Sequence, residues 1–451
     1  MPHYDLAILG TGSGNTIIRS EMKDWKIAVV EPWTFGGTCL NRGCIPSKMF
    51  VHAADVAHTA ETGHLYDVQS NVIDVHWEAI RDRVFGRIDP IAESGRSFRA
   101  NAENVDVYDQ PAVFVGDHKI KSGDHEFTAD RIVISVGSTP TMIDIPGIDG
   151  LDIDTSDTIM RLEKKPESLI IIGGGAIATE MGHIFNAYGT KVSMVQRSNR
   201  LLSREDVEVG TLITKLFHER GIDMHCGVNT TSIRKENGLF HLELDDGQTV
   251  TGERVLMVVG RTPNTLNMHC ELTGVELDQF GKVKVNDYME ASAPNIWALG
   301  DCANRDLDLK HVANAHARTI ANNLIHPDDK QPVWLPNTPR STFSQPEVSS
   351  VGITEQEANE QGLDVIVHTQ KYGNAAYGWA LEDTTSFVKV VVDRSTRKLL
   401  GAHIIGPQAS LLLQILVMGM TFDLTVDDIA RKQIWPHPAL SEVIEQCLLE
   451  V

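Results

Sequence analysis

Two cysteines five residues apart are the side chains in this sequence most suited to chemistry. Cys39 and Cys44 lie in the segment FGGTCLNRGCIPSKMF, residues 35–50, of a 451-residue chain with only six cysteines. Such a pair can bind a metal, form a structural disulfide or work as a redox couple. Structural zinc usually takes four cysteine or histidine ligands, commonly in closely spaced pairs. The other four cysteines are scattered along the chain, so no metal site is expected.

The segment between the two cysteines must depart from a regular helix if they are to form a disulfide. Residues five apart on a helix are separated by about 7.5 Å along the axis alone, and disulfides rarely join Cα atoms more than roughly 7 Å apart. Gly43 permits such a distortion, and Pro46 suits the first turn of a helix that begins just after it. A strained or exposed disulfide is easily reduced, so the local sequence favours a redox pair.

A redox pair needs an electron source, and the first residues of the chain predict a dinucleotide site. The apolar strand YDLAILG leads into GTGSGN, where Gly10 and Gly12 match the first two glycines of a dinucleotide-binding turn. Gly14 lies one residue before the expected third glycine, and Asn15 stands in that position. A helix following the turn would direct its N-terminus at a pyrophosphate. The strand KIAVVE ends in Glu31, an acid at the distance expected for binding a ribose hydroxyl.

A second strand, turn, helix and strand at residues 168–196 predict a separate dinucleotide site. The segment SLIIIGGGAIATEMG places Gly173 and Gly175 in the turn and Ala178 in the third-glycine position. The next strand ends in the neutral residue Gln196, and three arginines follow it, namely Arg197, Arg200 and Arg204. Arginines beside a neutral residue accommodate a 2′-phosphate, which an acid would repel. The second site is therefore expected to bind NADPH in preference to NADH.

Two dinucleotide folds and a cysteine pair together indicate an electron relay. FAD is the carrier that converts hydride chemistry into thiol chemistry, so we expect FAD in the first site and NADPH in the second. The alternative from another class is a flavin oxidase, which would pass electrons from NADPH to oxygen without using a disulfide. The cysteine pair discriminates between the two, because only the relay needs it.

Length and charge limit the remaining classes of function. A chain of 451 residues exceeds what one hydrophobic core usually supports, so two or three domains are expected. The net charge of −21 argues against a nucleic-acid or anionic-membrane partner. No apolar run reaches the roughly 18 residues of a membrane span, and the N-terminal residues lack a secretory pattern. We expect a cytoplasmic location, where a close cysteine pair is more often catalytic or metal-binding than structural.

The segment GGTCLNRGCIPSK resembles the active-site motif of the FAD-dependent pyridine-nucleotide disulfide oxidoreductases, the family of glutathione reductase and dihydrolipoyl dehydrogenase. The resemblance covers essentially the whole chain. ALGDC at 298–302 resembles the second flavin motif, in which Asp301 would hold the ribityl chain. VISVGSTP (133–140) and VLMVVGRTPN (255–264) resemble the strand-to-turn segments, although Ser135 and Val136 depart from the usual pattern. The cofactor-binding residues implied by the resemblance also include Gly37, Thr38, Lys48, Gly137 and Gly260.

The family resemblance implies an α/β fold with two Rossmann-like dinucleotide-binding domains and a C-terminal α+β dimerisation domain. Residues 1–145 and 265–330 would form a split FAD domain, with an NADPH domain inserted at 146–264. Residues 335–451 would form the dimerisation domain. The four prolines of residues 323–339 predict a linker before it.

The resemblance also assigns roles to the cysteines and to an ion pair. Cys44 would be the thiolate next to the flavin, and Cys39 the thiol that exchanges with the substrate. Lys48 and Glu180 match positions that form an ion pair beside the flavin in this family.

A histidine near the C-terminus completes the implied catalytic set. HPALSEVIE at 437–445 resembles the family's C-terminal motif, in which Glu442 would orient His437. His437 would serve the cysteine pair of the other subunit, so activity would require a homodimer. The imidazolium would lower the pKa of the attacking thiol, and the same ring would protonate the leaving thiolate.

Residue spacing does not select the substrate, which is implied by resemblance alone. GTGSGN, RVFGRIDPIAESG (83–95), LKHVANAHAR (309–318) and YGNAAYGWALED (372–383) resemble segments of the mycothione reductase branch of the family. They imply reduction of a low-molecular-weight disulfide, mycothione, to two thiols. Dihydrolipoyl dehydrogenase is the alternative within the family, although Gln196 replaces the acid expected there for NAD.

Overall fold

The computed structural model describes residues Met1–Val451, which divide into two compact units. The first unit comprises Met1–Pro46, Arg81–Thr141 and Gly260–Leu335, and the second comprises Ser47–Ile80, Met142–Val259 and Pro336–Val451. Strands and α-helices are numbered in chain order. No helix combines the length and apolar character needed to cross a membrane. The helices are α1 Gly37–Asn41, α2 Cys44–Thr62, α3 Trp77–Ala100, α4 Ala176–Ala187, α5 Val207–Glu219, α6 Lys310–Ile325, α7 Glu355–Glu360, α8 Ala376–Ala380, α9 Ala409–Thr421, α10 Val426–Arg431 and α11 Glu442–Leu449.

A five-stranded parallel sheet forms the centre of the first unit. Its two central strands are buried at every residue, as expected for a parallel sheet covered on both faces. Strand β2 (Leu6–Leu9) leads into the first glycine turn, and its neighbour β3 (Ile27–Val30) leads into Glu31. Because the two strands are parallel, the turn and the acid lie at the same edge of the sheet. The strand order is β18 (Ile296–Ala298), β8 (Ile132–Ile134), β2 (Leu6–Leu9), β3 (Ile27–Val30) and β4 (Val105–Tyr108).

Two smaller sheets complete the first unit. The two-stranded antiparallel ribbon pairs β9 (Ser138–Pro140) with β17 (Arg261–Pro263), which are far apart in sequence. The other sheet has the order β1 (His3–Tyr4), β7 (His125–Ala129), β6 (Lys119–Ser122) and β5 (Ala112–Gly116).

The helix expected after the first glycine turn is absent. Residues Gly14–Thr16 and Ser20–Met22 form only short 3₁₀ helices before β3. The guanidinium of Arg99, in α3, donates to the carbonyl of Asn15 at 2.9 Å and to its side-chain oxygen at 2.8 Å. The Arg99 side chain thereby pairs the carbonyl of Asn15, which an α-helix would pair with a backbone N–H. The prediction of an α-helix N-terminus at this turn is therefore wrong, while the glycine turn itself is present.

A four-stranded parallel sheet in the second unit follows the predicted strand, turn, helix and strand. The helix after its glycine turn, α4, is regular and has eight buried residues. A three-stranded antiparallel sheet packs its apolar side chains into the same core. The parallel order is β12 (Asp223–Cys226), β11 (Lys191–Gln196), β10 (Ser168–Ile172) and β16 (Arg254–Met257), and the antiparallel order is β13 (Thr230–Glu236), β14 (Leu239–Leu244) and β15 (Thr249–Gly252).

The C-terminal part of the second unit is an antiparallel sheet covered by helices. Helix α9 buries Leu412, Leu413 and Leu416 against this sheet, as its apolar sequence predicts. Two parallel sheets with helices and a separate C-terminal α+β part confirm the predicted α/β fold class. The strand order is β19 (Arg340–Thr342), β20 (Val348–Gly352), β23 (Leu399–Ile405), β22 (Phe387–Asp393) and β21 (Val365–Lys371).

Candidate active site

The two cysteines lie on either side of a break between two helices. Cys39 is in the short helix α1, and Cys44 is the first residue of α2. Arg42 ends α1 with a non-helical backbone (φ −154°, ψ 18°) while its N–H donates to the carbonyl of Thr38 at 2.9 Å. The segment is therefore not a regular helix, as the distance limit on a disulfide requires. In this structure the pair is in its thiol form, with Cys39 half-buried and Cys44 exposed.

The surroundings of Cys39 favour its thiolate. A hydrogen bond from Cys44 lowers the pKa of the Cys39 thiol to about 7. Burial opposes this shift, and the positive charge of Lys310 and backbone N–H groups at the start of α2 add to it. An ordinary thiol is only a few per cent ionised near pH 7. The surroundings therefore favour the Cys39 thiolate over that of an ordinary thiol, and the two sulfurs titrate as a pair.

The first glycine turn is in direct backbone contact with the cysteine segment. Gly10 has φ +105°, and a Cβ there would overlap the carbonyl of Ser135. A Cβ built on Gly37, at the start of α1, would lie 2.7 Å from the Cα of Gly12. Gly14 packs against the side chain of Ser135, whose hydroxyl donates to the Gly10 carbonyl at 2.9 Å. The departure at Ser135 thus serves to fix the turn.

Glu31 lies beside the turn, at the end of β3. Its carboxylate is buried and accepts hydrogen bonds from the Thr11 N–H at 2.9 Å and the Thr11 hydroxyl at 2.6 Å. The Trp33 N–H donates to its other oxygen at 3.1 Å. The turn and the acid are therefore held together, as the sequence predicts.

Asp301 faces the ribbon formed by β9 and β17. Its carboxylate accepts a hydrogen bond from the Ser138 hydroxyl at 2.6 Å, and Arg261 Nε lies 3.8 Å away. Gly137 (φ +65°) and Gly260 (φ +151°) precede these two partners and allow the chain to turn into each strand. The structure thus brings Asp301, Gly137 and Gly260 to one place in the first unit.

The second glycine turn meets the arginine-containing loop within the second unit. Gly173 has φ +135°, and a Cβ there would lie 2.5 Å from the carbonyl of Val258. Gly175 precedes α4, and Ala178 is fully buried in that helix. The N–H of Leu202 donates to the carbonyl of Gly174 at 2.7 Å, which fixes the loop beside the turn.

The three arginines of this loop differ in exposure. Arg197 and Arg204 are exposed, whereas Arg200 is half-buried and donates from Nη2 to the Ser203 carbonyl at 3.1 Å. The Nε of Arg200 is buried without a hydrogen-bond partner. Gln196 is buried and donates to the Arg200 carbonyl. An unpaired guanidinium N–H beside two exposed arginines fits an anionic group such as a 2′-phosphate.

Lys48 and Glu180 lie on α2 and α4, but they do not form the expected direct ion pair. The Lys48 ammonium lies 3.8 Å from the centre of the Phe343 ring, and the Phe343 N–H donates to Glu180 Oε1 at 3.1 Å. Burial raises the pKa of Glu180 to about 7, and its hydrogen bonds and the charge of Lys48 act in the opposite direction. Phe343 therefore mediates the contact between them.

His437 and Glu442 make the expected contact at the start of α11. His437 Nδ1 lies 2.8 Å from Glu442 Oε1, and the Ala439 N–H donates to Glu442 Oε2 at 2.9 Å. The hydrogen bond with His437 lowers the pKa of Glu442. The imidazole is 72% exposed in the single chain, so its remaining nitrogen is accessible.

Comparison with known families assigns the chain. The family described as pyridine nucleotide-disulphide oxidoreductase matches residues 4–318, and the dimerisation domain of the same family matches residues 338–447. The chain belongs to the pyridine nucleotide-disulphide oxidoreductase family. The dimerisation-domain match supports a homodimer.

Individual members of this family resemble the chain along its full length. A mycothione reductase of Mycobacterium tuberculosis is 41% identical over 459 residues, covering 100% of this chain and 99% of the relative. A dihydrolipoyl dehydrogenase of Corynebacterium glutamicum is 31% identical, covering 98% and 97%. The chain also superimposes on a solved structure, the HOCl-induced flavoprotein disulfide reductase RclA from Escherichia coli, with a TM-score of 0.88. The sequence identity of this pair is 26%, and the match covers 99% of this chain and 100% of that chain.

Membership of the pyridine nucleotide-disulphide oxidoreductase family identifies the chain as a disulfide reductase that uses FAD and NADPH. The residues of the first unit fit FAD, because a Cβ at Gly10 or Gly14 would clash with Ser135 and an acid lies beside the turn. The second unit fits NADPH, because Arg200 has an unpaired guanidinium N–H next to the second turn.

Four residues that contact the predicted site residues were not themselves predicted from the sequence. Ser138 and Arg261 directly follow the predicted glycines Gly137 and Gly260, so the same two motifs carried a signal for them. Phe343 contacts Glu180 and Lys310 contacts Ser13, and each pair is so far apart in sequence that motif spacing carried no signal for the contact.

Proposed function

We propose that this chain reduces a low-molecular-weight disulfide with NADPH and that mycothione is its substrate. The observation that carries the reaction is the Cys39–Cys44 pair across a helix break, with a Cys39 pKa of about 7. The full-length 41% identity to a mycothione reductase supports the choice of substrate. A cytoplasmic location, where small thiols are kept reduced, is part of this proposal.

The cofactor-binding residues divide into two sets, one for each cofactor. Gly10, Gly12, Gly14, Glu31 and Asp301 would hold FAD, together with Gly37, Thr38, Lys48, Gly137 and Gly260. Gly173, Gly175, Ala178, Arg197 and Arg200 would hold NADPH. The corresponding domains are the split FAD domain (1–145 and 265–330), the NADPH domain (146–264) and the dimerisation domain (335–451). Bound FAD supplies the two-electron link between NADPH and the Cys39–Cys44 disulfide.

The thiol chemistry follows from the reduced pair. The Cys39 thiolate attacks one sulfur of the substrate disulfide RSSR, so that a Cys39–SR bond forms and RS⁻ leaves. Cys44, as its thiolate, then attacks the sulfur of Cys39, restoring the Cys39–Cys44 bond and releasing the second RS⁻. The overall reaction is NADPH + H⁺ + RSSR → NADP⁺ + 2 RSH.

Proton transfer to the leaving thiolate is assigned to His437 of the partner subunit. Its contact with Glu442 fixes the orientation of the ring through Nδ1 and leaves Nε2 to hold the transferred proton. Lys48 and Glu180 are proposed to act on the flavin side of the disulfide, with Phe343 holding their positions.

A steady-state assay of the purified flavoprotein tests this function. Oxidised mycothiol, oxidised glutathione and lipoamide are compared, each with NADPH and with NADH. The highest kcat/KM for mycothiol disulfide with NADPH is expected. Preference for lipoamide with NADH would assign the chain to the dihydrolipoyl dehydrogenases and would refute both the substrate and the role of the arginines.

Substitution of the attacking thiol tests the relay itself. Cys39→Ser should abolish disulfide reduction and leave flavin reduction by NADPH intact, because only the second half-reaction uses this sulfur. Cys226→Ser, at a half-buried cysteine on β12, is the matched control and should retain full turnover. Full disulfide turnover by Cys39→Ser would refute the relay through the cysteine pair.

A further inference from the structure

A row of polar side chains crosses the C-terminal antiparallel sheet. Lys389 on β22 lies opposite His403 on β23. Ser350 on β20 lies opposite His403 on one side and opposite Arg340 of β19 on the other. Residues directly opposite in neighbouring strands point to the same face of a sheet, so the four side chains form one row. Lys389, His403 and Ser350 are at most 1% exposed, so this row is covered by another part of the chain.

Two consecutive acids, Glu205 and Asp206, supply the partners of this row. The Glu205 carboxylate accepts hydrogen bonds from Arg340 Nε at 2.7 Å and Nη2 at 3.2 Å, and from the Ser350 hydroxyl at 2.5 Å. Asp206 Oδ1 accepts from Lys389 Nζ at 3.0 Å, and both side chains are buried. A carboxylate removed from water needs such compensating charges and hydrogen bonds, so these contacts fix the two acids on the sheet.

The same two acids end the arginine loop, residues 197–204. Arg204 directly precedes Glu205, and the side chain of Asp206 caps the N-terminus of α5. On the other side of Arg204, the N–H of Leu202 donates to the carbonyl of Gly174 in the second glycine turn. Arg204 itself is exposed and forms no ion pair. The loop is therefore attached both to the glycine turn and to the C-terminal sheet, with Arg204 between the two attachments.

We propose that Arg340 is a positioning residue for coenzyme selection, which holds the arginine loop on the C-terminal sheet so that its guanidinium groups meet the 2′-phosphate of NADPH. The inference rests on the proposed binding of that phosphate by the arginines of this loop. Arg340 pairs with Glu205 alone, through a bidentate contact that fixes orientation as well as distance. A loop held in place before binding loses less conformational entropy when the phosphate binds. A residue of the C-terminal domain thereby influences which coenzyme the preceding domain selects.

The test measures binding of coenzyme fragments without turnover. Isothermal titration calorimetry gives the affinity of the holoenzyme for adenosine 2′,5′-bisphosphate and for adenosine 5′-monophosphate, which differ only in the 2′-phosphate. Arg340→Met removes the contact with Glu205, and Arg340→Lys keeps a charge that can pair with it. Arg254→Met is the matched control, because Arg254 is also half-buried and lies 2.7 Å from a buried carboxylate, that of Asp154. Arg254 is at the start of β16, at the opposite end of the parallel sheet from the second glycine turn.

We expect Arg340→Met to weaken binding of the bisphosphate about fivefold, the worth of one exposed arginine contact, and binding of the monophosphate less than about twofold. The ratio of the two affinities therefore falls, whereas a general loss of structure would weaken both fragments alike. Arg340→Lys should restore most of the wild-type ratio, and Arg254→Met should leave it unchanged.

Two outcomes would overturn the role of Arg340 alone, namely an unchanged ratio in Arg340→Met or an equal fall of the ratio in Arg254→Met. Equal binding of the two fragments by the wild type would overturn it together with the proposed role of the arginines. Should Arg340→Met not fold, Ser350→Ala removes another hydrogen bond to Glu205 without changing any charge. It should lower the same ratio about twofold, and an unchanged ratio there would also refute the inference.

Discussion

Coenzyme preference is predicted to depend on the two exposed arginines of the loop after β11. Two unit charges about 4 Å apart interact by about 1 kcal/mol in a fully aqueous environment and more at a protein surface. Since Arg197 and Arg204 are exposed, we take about 1 kcal/mol for each against a 2′-phosphate. Replacing both with alanine should therefore lower kcat/KM for NADPH about 30-fold, because 1.4 kcal/mol corresponds to a factor of ten. NADH has no such phosphate, so its kcat/KM should change less than about twofold by the same reasoning.

Initial rates of flavin reduction by each coenzyme provide the assay, because this half-reaction is independent of the disulfide substrate. Increasing ionic strength should reduce the NADPH preference of the wild type more than that of the double variant. Arg234→Ala is the control, since Arg234 is an exposed arginine of the same unit that pairs with Glu243. Equal losses with NADPH and NADH would show that the arginines only maintain the loop. An unchanged NADPH rate would show that neither exposed arginine contributes to binding the phosphate.

Three further substitutions test other parts of the structure. Burial raises the pKa of Glu180 to about 7, so between about pH 4.5 and 7 the folded chain binds more protons than the unfolded chain. The free energy of unfolding should therefore fall by up to roughly 3 kcal/mol as the pH rises through that window. Glu180→Gln should flatten this pH dependence in denaturant titrations, and an unaltered dependence would contradict the raised pKa. Lys389 is 1% exposed and contacts Asp206, Glu208 and Glu355. Lys389→Met should lower the free energy of unfolding by about 3–5 kcal/mol, because it leaves these carboxylates without their cation. A loss below about 1 kcal/mol would mean that the three carboxylates tolerate removal of the lysine. His437→Gln should lower disulfide turnover by about 10²–10⁴ without slowing flavin reduction by NADPH, and equal slowing of both half-reactions would argue against a role in proton transfer.

Local sequence predicted the second dinucleotide fold better than the first. In the second unit an apolar strand, a glycine turn and an apolar helix face follow one another, and α4 buries that face as predicted. After the first turn the chain forms only 3₁₀ helices, and Arg99 donates hydrogen bonds to the backbone carbonyl and the side chain of Asn15. These two residues are 84 positions apart, so no local pattern contains the interaction.

The same limit applies to the contact between Lys48 and Glu180. The family resemblance predicted that both would lie together, and the structure places both next to Phe343. The intervening ring comes from a segment 163 residues beyond Glu180, where the sequence indicated only the start of the C-terminal domain. Motif spacing predicted which residues meet, but the tertiary fold determined whether they meet directly.

The two subunits of the proposed dimer are expected to contribute different groups to the thiol chemistry. A hydrogen bond from Cys44, which belongs to the same chain, is the largest cause of the lowered pKa of Cys39. The exposed imidazole of His437 is fixed through one nitrogen by Glu442. In the proposed dimer, the partner's His437 would add a positive charge beside the Cys39 thiolate and would also protonate the leaving thiolate. His437→Gln should therefore raise the pH midpoint for alkylation of Cys39 by iodoacetamide as well as lower disulfide turnover, because it removes a cation beside the thiolate; an unchanged midpoint would restrict His437 to protonating the product.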